Sequence, residues 1–298
     1  MIKKIDAHVH TRRLRCPARY GDEFEGKTFA LPEELLDIYK VLNVDKALIL
    51  PVVNPECSYG PQSNEEVKEI VERSNGLFAW CCNIDPRMGG NCSEFNISYF
   101  LDLYKSQGAR GVGEICANLH FDDPLVLNLF HHCELSCMPV IFHISTGIGG
   151  CYGLVDNPGL PGLEKVLKMF PKLTFVGHSQ PFWAEISEGI ISANRNTYPE
   201  GKIVPGRVVK LMRRHQNLWA DLSARSGFNA LARDYEFGCS FIEEFKDRLL
   251  FGTDICFPEY DARLGLSSWL QAALEKGNIS CDAYEKVCRR NAECLFNL

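Results

Sequence analysis

The sequence predicts an α/β protein of the (β/α)8 barrel class with one extra helix at its C-terminus. Three observations carry that expectation. Short β-branched and aromatic runs alternate eight times with longer stretches of helical period, the pattern of parallel strands joined by helical crossovers. The strand-like runs are apolar almost throughout, as strands covered on both faces must be. The 298 residues and 46% apolar content suit a single barrel domain over 1–298, since such a barrel uses about 250 residues. An open doubly wound sheet is the weaker alternative, because eight units is the closure number and no G-x-G-x-x-G opens the first helix.

Strands are expected at Ile5–His10, Lys46–Val53, Gly76–Ile84, Ala109–Ile115, Pro139–Ile144, Leu173–Ser179, Leu218–Ala224 and Leu249–Ile255. Helices are expected between them at Pro32–Asn43, Asn64–Asn75, Ile97–Gln107, Pro124–Cys137, Leu163–Phe170, Pro205–Gln216 and Phe241–Lys246, with Leu266–Lys276 after the last strand. Pro32 suits a first-turn position, and Asn64 can cap a helix rich in early glutamates. Asp282–Phe296 would pack as the extra helix.

The charges are 32 Lys+Arg against 38 Asp+Glu, a net −6. That balance argues against nucleic-acid and membrane-surface partners, which need a basic face. No apolar run approaches the roughly 20 residues that span a bilayer. Met1–Asp6 meets charge at once, without the apolar stretch of a signal peptide, so a cytoplasmic location is expected. The 14 cysteines fit reduced thiols better than a disulfide framework, because several sit inside apolar runs and no C-x-x-C pair occurs. The Asn-x-Ser matches at Asn91, Asn96 and Asn278 are then chance.

The chemistry is in the polar residues at the strand ends. Asp6-Ala7-His8-Val9-His10 closes the first strand with two histidines on one face, since side chains at i and i+2 point the same way. His143 ends the fifth strand, His178 the sixth and Asp254 the eighth, while Glu114 ends the fourth. In a barrel all these C-terminal strand ends open on one rim, where catalytic residues collect. Imidazoles and carboxylates are good zinc ligands, three or four sufficing for one ion. Without a metal, so many converging polar groups would be expensive to desolvate.

On these residues the chain resembles the amidohydrolase superfamily, and more closely its branch of small metal-dependent TIM barrels that includes carboxylic-acid decarboxylases. The matching stretches are the Asp-Ala-His-Val-His opening, Phe142-His143, Gly177-His178, Phe251-Gly252-Thr253-Asp254 and the closing segment Tyr284–Ala292. The resemblance implies that His8, His10, His143 and Asp254 hold a divalent ion, zinc before manganese, iron or cobalt, with one or two ions in the site. It implies that Asp254 takes the proton of a water acidified by the ion, and that His178 either binds a second ion or polarises the substrate carbonyl. Many relatives bridge two metals with a carboxylated lysine from the fourth strand, but Ala109–Ile115 has no Lys. Glu114 would replace it as a bridge, sit behind the ligands, or pair with a neighbour such as Arg110.

Loops after the strands offer substrate contacts. Arg12, Arg13, Arg15 and Arg19 cluster beyond the H-x-H, and arginine forks suit carboxylates. The Gly- and Pro-rich segment Ser145–Gly162, with Tyr152, could serve as a lid. Phe182-Trp183 would wall the pocket or pack under its loop, and Asp221 and Arg225 close the seventh strand, with His120 on the fourth loop. The expected function is a metal-dependent hydrolase acting on a C–N or C–O bond (amide, lactone or ester) of a small organic acid. A non-oxidative decarboxylase or hydratase on the same scaffold is the near alternative, a catalytically inactive barrel used for assembly a further one, and a homo-oligomer stays open. Gly21-Asp-Glu-Phe-Glu-Gly26-Lys27-Thr28 also matches a phosphate-loop expression. A P-loop nucleotide-binding protein is disfavoured, because the match follows no apolar strand, Pro32 starts a separate helix, and Asp22, Glu23 and Glu25 would repel an anion.

Overall fold

The computed structural model describes residues 2–16, 26–56, 61–259 and 263–298, the side chains of Arg263 and Leu264 excepted. Its strands are β1 (Lys4–Val9), β2 (Val44–Ile49), β3 (Phe78–Cys82), β4 (Ala109–Ile115), β5 (Val140–Ser145), β6 (Leu154–Val155), β7 (Phe175–His178), β8 (Leu218–Asp221) and β9 (Leu249–Leu250). All but β6 lie side by side in chain order, each parallel to the next. The last and first strands then meet. Ala7 N–H donates to the Phe251 carbonyl at 2.9 Å, Asp254 N–H to His8 at 2.8 Å and His10 N–H to Ile255 at 2.9 Å, and Val9 pairs in parallel with Ile255. The eight strands other than β6 therefore close into a (β/α)8 barrel.

The helices are α1 (Pro32–Leu42), α2 (Asn64–Glu72), α3 (Ser98–Ser106), α4 (Pro124–Leu135), α5 (Pro161–Met169), α6 (Gln180–Ala184), α7 (Arg207–Arg214), α8 (Ala224–Ala232), α9 (Tyr235–Phe245), α10 (Arg263–Glu275), α11 (Cys281–Glu285) and α12 (Asn291–Phe296). Pro32 takes a first-turn position of α1. The cap of α2 falls one residue earlier than expected: the Ser63 hydroxyl accepts from Glu66 N–H at 3.1 Å. Asn64 is buried instead and exchanges two bonds of 2.8 Å with the Asn83 backbone. The unit after β8 holds two helices where one was expected at Phe241–Lys246. The expected C-terminal helix is α11 and α12 joined by one π-helical turn, Lys286–Arg290. Among the described residues no helix is long and apolar enough to cross a membrane, and every cysteine is a free thiol. Arg19 and residues 21–25 of the phosphate-loop match lie outside the described residues.

Burial separates the strand side chains into two apolar layers. Val9, Ala47, Ile49, Val112, Ile115, Phe142 and Phe175 join the large cluster shared with the helices. Ile5, Ala7, Leu48, Leu50, Ile141, Val176 and Leu250 form a second cluster inside the barrel, capped by Ala292 and Phe296 of α12. Burial of each such Leu, Ile, Val or Phe contributes about 1.5–3 kcal/mol before chain entropy is subtracted. Two of the register shifts fall beside residues of the mouth. The β1 register shifts between Asp6 and Val9, and that of β4 between Val112 and Ile115. Such bulges re-aim side chains. In β1 the shift sends Asp6 to Tyr39 of α1, whose hydroxyl it accepts at 2.9 Å, and frees His8 to turn into the mouth. Asp6 also accepts from Thr253 N–H at 2.8 Å and Thr253 Oγ1 at 2.6 Å, tying the seam where β1 meets the chain after β9.

Gly177, one residue before His178, packs against Phe182, and a Cβ there would stand 2.4 Å from that ring. Gly177→Ala should destabilise the protein by about 1–3 kcal/mol, read as a lower urea midpoint at unchanged slope.

Candidate metal centre

The barrel mouth collects His8 and His10 from the β1 end, Glu114 from β4, His143 from β5, His178 from β7 and Asp254 from the segment after β9. His8, His10, Glu114 and His178 are buried. Asp254 is the most open of the set, its side chain 23% exposed, and its backbone takes a left-handed φ of 54°. The Nε2 atoms of His8 and His10 stand 3.1 Å apart. Asp254 Oδ1 lies 3.6 and 3.5 Å from them, and Glu114 Oε2 lies 3.7 Å from each. Donors on one cation at about 2.1 Å are separated by about 3.4 Å in a tetrahedron, so the His8, His10 and Asp254 trio, whose donor atoms lie within 4.8 Å of one another, fits a divalent ion, with Glu114 beside it.

The carboxylates also face the other way. Glu114 Oε1 is 2.7 Å from His143 Nδ1 and 3.8 Å from His178 Nε2, and Asp254 Oδ2 is 3.7 Å from His178 Nε2. Each of the two acids thus offers one oxygen to the His8–His10 pair and the other to the far side of the mouth. Glu114 meets histidines; the expected alternative of a pair with Arg110 does not form, Arg110 being exposed.

Asp221 was placed at its strand end by the sequence but given no role, and it is the anchor of the cluster. Its Oδ2 receives His8 Nδ1 at 2.6 Å and the Ser223 hydroxyl at 2.8 Å, and stands 3.3 Å from His178 Nδ1. His178 Nδ1 also meets Ser223 Oγ at 3.1 Å. His10 Nδ1 pairs with the Leu50 carbonyl at 2.9 Å. Both Nδ1 atoms of the H-x-H are thereby committed as donors, which leaves the two facing Nε2 atoms as lone pairs. Two lone pairs 3.1 Å apart require a cation between them, a metal or a proton.

The charge states follow the same need. Burial opposes a charge on His8, but Asp221, Asp254 and Glu114 outweigh it and push its pKa up to about 10. Burial, reinforced by His8, pushes His10 down. Burial would raise Glu114, yet His143, His8 and His178 hold it well below the usual carboxylate range. Asp221 is likewise held low, by His8 and His178 against its burial. Without a metal, one proton on His8 supplies the positive charge that these acids demand.

Of the expected substrate contacts, Tyr152 and Arg225 line a cleft of about 270 Å³ above the cluster, with His143, His178, Tyr198 and Asp254. Tyr152 stacks obliquely by His143, centroids 4.6 Å apart, and Arg225 lies 4.4 Å over the Tyr198 ring. Tyr198, from the long connection after α6, carried no recognisable motif in the sequence. Trp183 is buried behind the site, its Nε1 donating to the Asp221 carbonyl at 2.9 Å. Arg12 and Arg13 line a separate groove with Glu65, Glu66 and Glu69. Arg12 is buried 3.8 Å from Glu66 and over Phe29, Arg13 pairs with Glu69 and Arg15 with Glu34. These arginines meet acids of the protein itself, so the loop reads as structural pairing. The Ser145–Gly162 segment is fastened through β6, with Gly153 N–H on Cys116 and Val155 N–H on Leu119, both at 2.8 Å, which does not suit a hinged lid. His120 is exposed.

A family profile described as Amidohydrolase matches residues 121–298. No curated protein matches the sequence. Solved structures do. An uncharacterized TIM-barrel protein from Bordetella bronchiseptica is 18% identical, covers 99% of both chains and gives a TM-score of 0.62. An amidohydrolase from Burkholderia multivorans with bound zinc is 12% identical over 100% of both chains, TM-score 0.63. A dihydroxybenzoic acid decarboxylase from a Polaromonas species, with bound manganese and 2-nitroresorcinol as an inhibitor, is 14% identical over 100% of this chain and 98% of its own, TM-score 0.57. At these identities the likeness is one of fold.

Two outcomes follow from the anchor and the proton. Asp221→Asn should weaken divalent-metal affinity about 10–100-fold in competition with a chromophoric chelator, while the protein stays folded. The His8 pKa in the fold lies above the ordinary 6.5, so protonated His8 stabilises the metal-free fold fully below that pH, and this stabilisation is lost as pH rises through about 10. A metal must displace that proton, so affinity should drop about tenfold per pH unit from about pH 8 to about pH 6. A flat profile would contradict histidine ligation.

Proposed function

The chain belongs to the amidohydrolase family, and from that premise we propose that it is a metal-dependent hydrolase cleaving an amide, lactone or ester bond of a small organic acid. The observation that carries this reading is the division of Glu114 and Asp254, each with one oxygen toward His8 and His10 and the other toward His178. That division suits two divalent cations. His8, His10 and Asp254 Oδ1 would hold one, with Glu114 Oε2 beside them, and His143, His178 and Glu114 Oε1 the other, with zinc favoured by the imidazole-rich set. Cations held there supply Lewis acidity, which lowers the pKa of a water and polarises a carbonyl oxygen. Glu114 would stand at the place that the missing lysine leaves, and His178 would serve as a ligand.

The chain's own groups complete the chemistry. Asp254 is the cluster carboxylate that reaches the cleft, so it accepts the proton of the attacking water and returns it to the leaving nitrogen or oxygen. Burial and the nearby Glu114 hold the Tyr152 phenol well above its ordinary pKa. It therefore stays protonated and can donate to the oxygen on which charge develops. Arg225, exposed at the cleft mouth with one face on Tyr198, keeps its N–H edge for a substrate carboxylate.

The reading is tested with zinc-loaded protein on lactones, esters, N-acyl amino acids and aromatic acids in 18O-labelled water. Label in the product acid without carbon dioxide release is expected. Carbon dioxide release from an acid with no hydrolysis anywhere in the panel would overturn it in favour of a decarboxylase. Asp254→Asn should lower kcat by about 10²–10⁴, with metal content measured alongside. Arg225→Ala should mainly raise KM, on the order of tenfold or more for an anionic substrate, with kcat little changed.

A further inference from the structure

Beside Glu114 the mouth holds a thiol donor that the reading above does not use. Cys116 follows Glu114 by two positions, past the β4 register shift. Ile115 between them packs outward in the large cluster, so its two neighbours share the opposite, inward side. Cys116 is 2% exposed. Its backbone is fastened at both ends: its N–H donates to Asn54 Oδ1 at 2.8 Å, and its carbonyl accepts from Gly153 N–H at 2.8 Å. One atom each of Cys116 (Sγ), Glu114 (a carboxylate oxygen) and His143 (a ring nitrogen) lie within 4.8 Å of one another. Sulfur, nitrogen and oxygen donors on one zinc ion at about 2.3, 2.1 and 2.1 Å fall within that span.

We propose that Cys116 is a thiolate ligand of the cation on the His143 side of the mouth. The inference rests on the two-cation reading. As the sulfur–metal bond forms, the thiol proton passes to solvent, and no oxidant or reductant is involved. The two positions then differ in kind. The one at His8 and His10 offers only nitrogen and oxygen, whereas the one at Glu114, His143 and Cys116 includes a soft sulfur and selects zinc or cobalt over magnesium and manganese.

The test uses the full chain, stripped of metal and titrated with Co2+ alone. The wild-type protein should bind two equivalents and develop a near-ultraviolet thiolate-to-cobalt charge-transfer band. Cys116→Ser should lose that band, whereas Cys256→Ser, in the cleft wall, should keep it. X-ray absorption of zinc-loaded wild-type protein needs no variant and should show a sulfur shell at about 2.3 Å. Two bound equivalents without band or sulfur shell overturn the thiolate and leave the two-cation reading standing, as does a band that survives in Cys116→Ser. Wild-type protein that retains no metal overturns both.

Discussion

Three carboxylates buried or half-buried at one end of a closed barrel, with four imidazoles among them, must have their charge balanced on the spot. Glu114, Asp221 and Asp254 have no arginine or lysine among the described partners of their side chains; their partners are His8, His10, His143 and His178, with Ser223 and Cys256. Burying unpaired acids would be costly. A proton on His8 is the least that meets the need, and the buried histidine and carboxylate groups are also spaced consistently with a divalent cation.

Asp221 turns that charge problem into a rigid geometry. By holding the Nδ1 side of His8 and standing beside that of His178, it directs both Nε2 atoms into the mouth. The Leu50 carbonyl does the same for His10. Outer partners of this kind fix ring orientation and raise ligand basicity. Trp183 in turn fastens the Asp221 backbone from behind, so a residue expected to wall the pocket or pack under its loop works as support for the anchor.

The barrel brings these groups together through its closure and its irregularities. The β1 and β4 register shifts occur at His8 and Glu114, where an extra residue turns a side chain that strict alternation would place elsewhere. The closing bonds between β1 and the chain after β9 bring Asp254 beside His8, with Asp6 and Thr253 fastening the same seam. Stability and site geometry therefore depend on the same few bonds.

The fold class and the identity of the mouth residues were legible in the chain, because both follow from local periodicity: apolar runs define strands, and a polar residue at a strand's C-terminal end must face the barrel rim. The same logic reached His8, His10, Glu114, His143, His178 and Asp254, and left Asp221 in view without a role. Tertiary structure decided what depends on distant partners. His8 and its Asp221 partner are 213 positions apart, and no local pattern records which carboxylate oxygen faces which histidine. The first-loop arginines were ambiguous for the same reason, since only the packed helix α2 supplies the glutamates that occupy Arg12 and Arg13. Sequence periodicity gives the face a residue takes where the register is regular; register shifts, closure and the partner across the barrel decide where His8 and Glu114 point and what they can do.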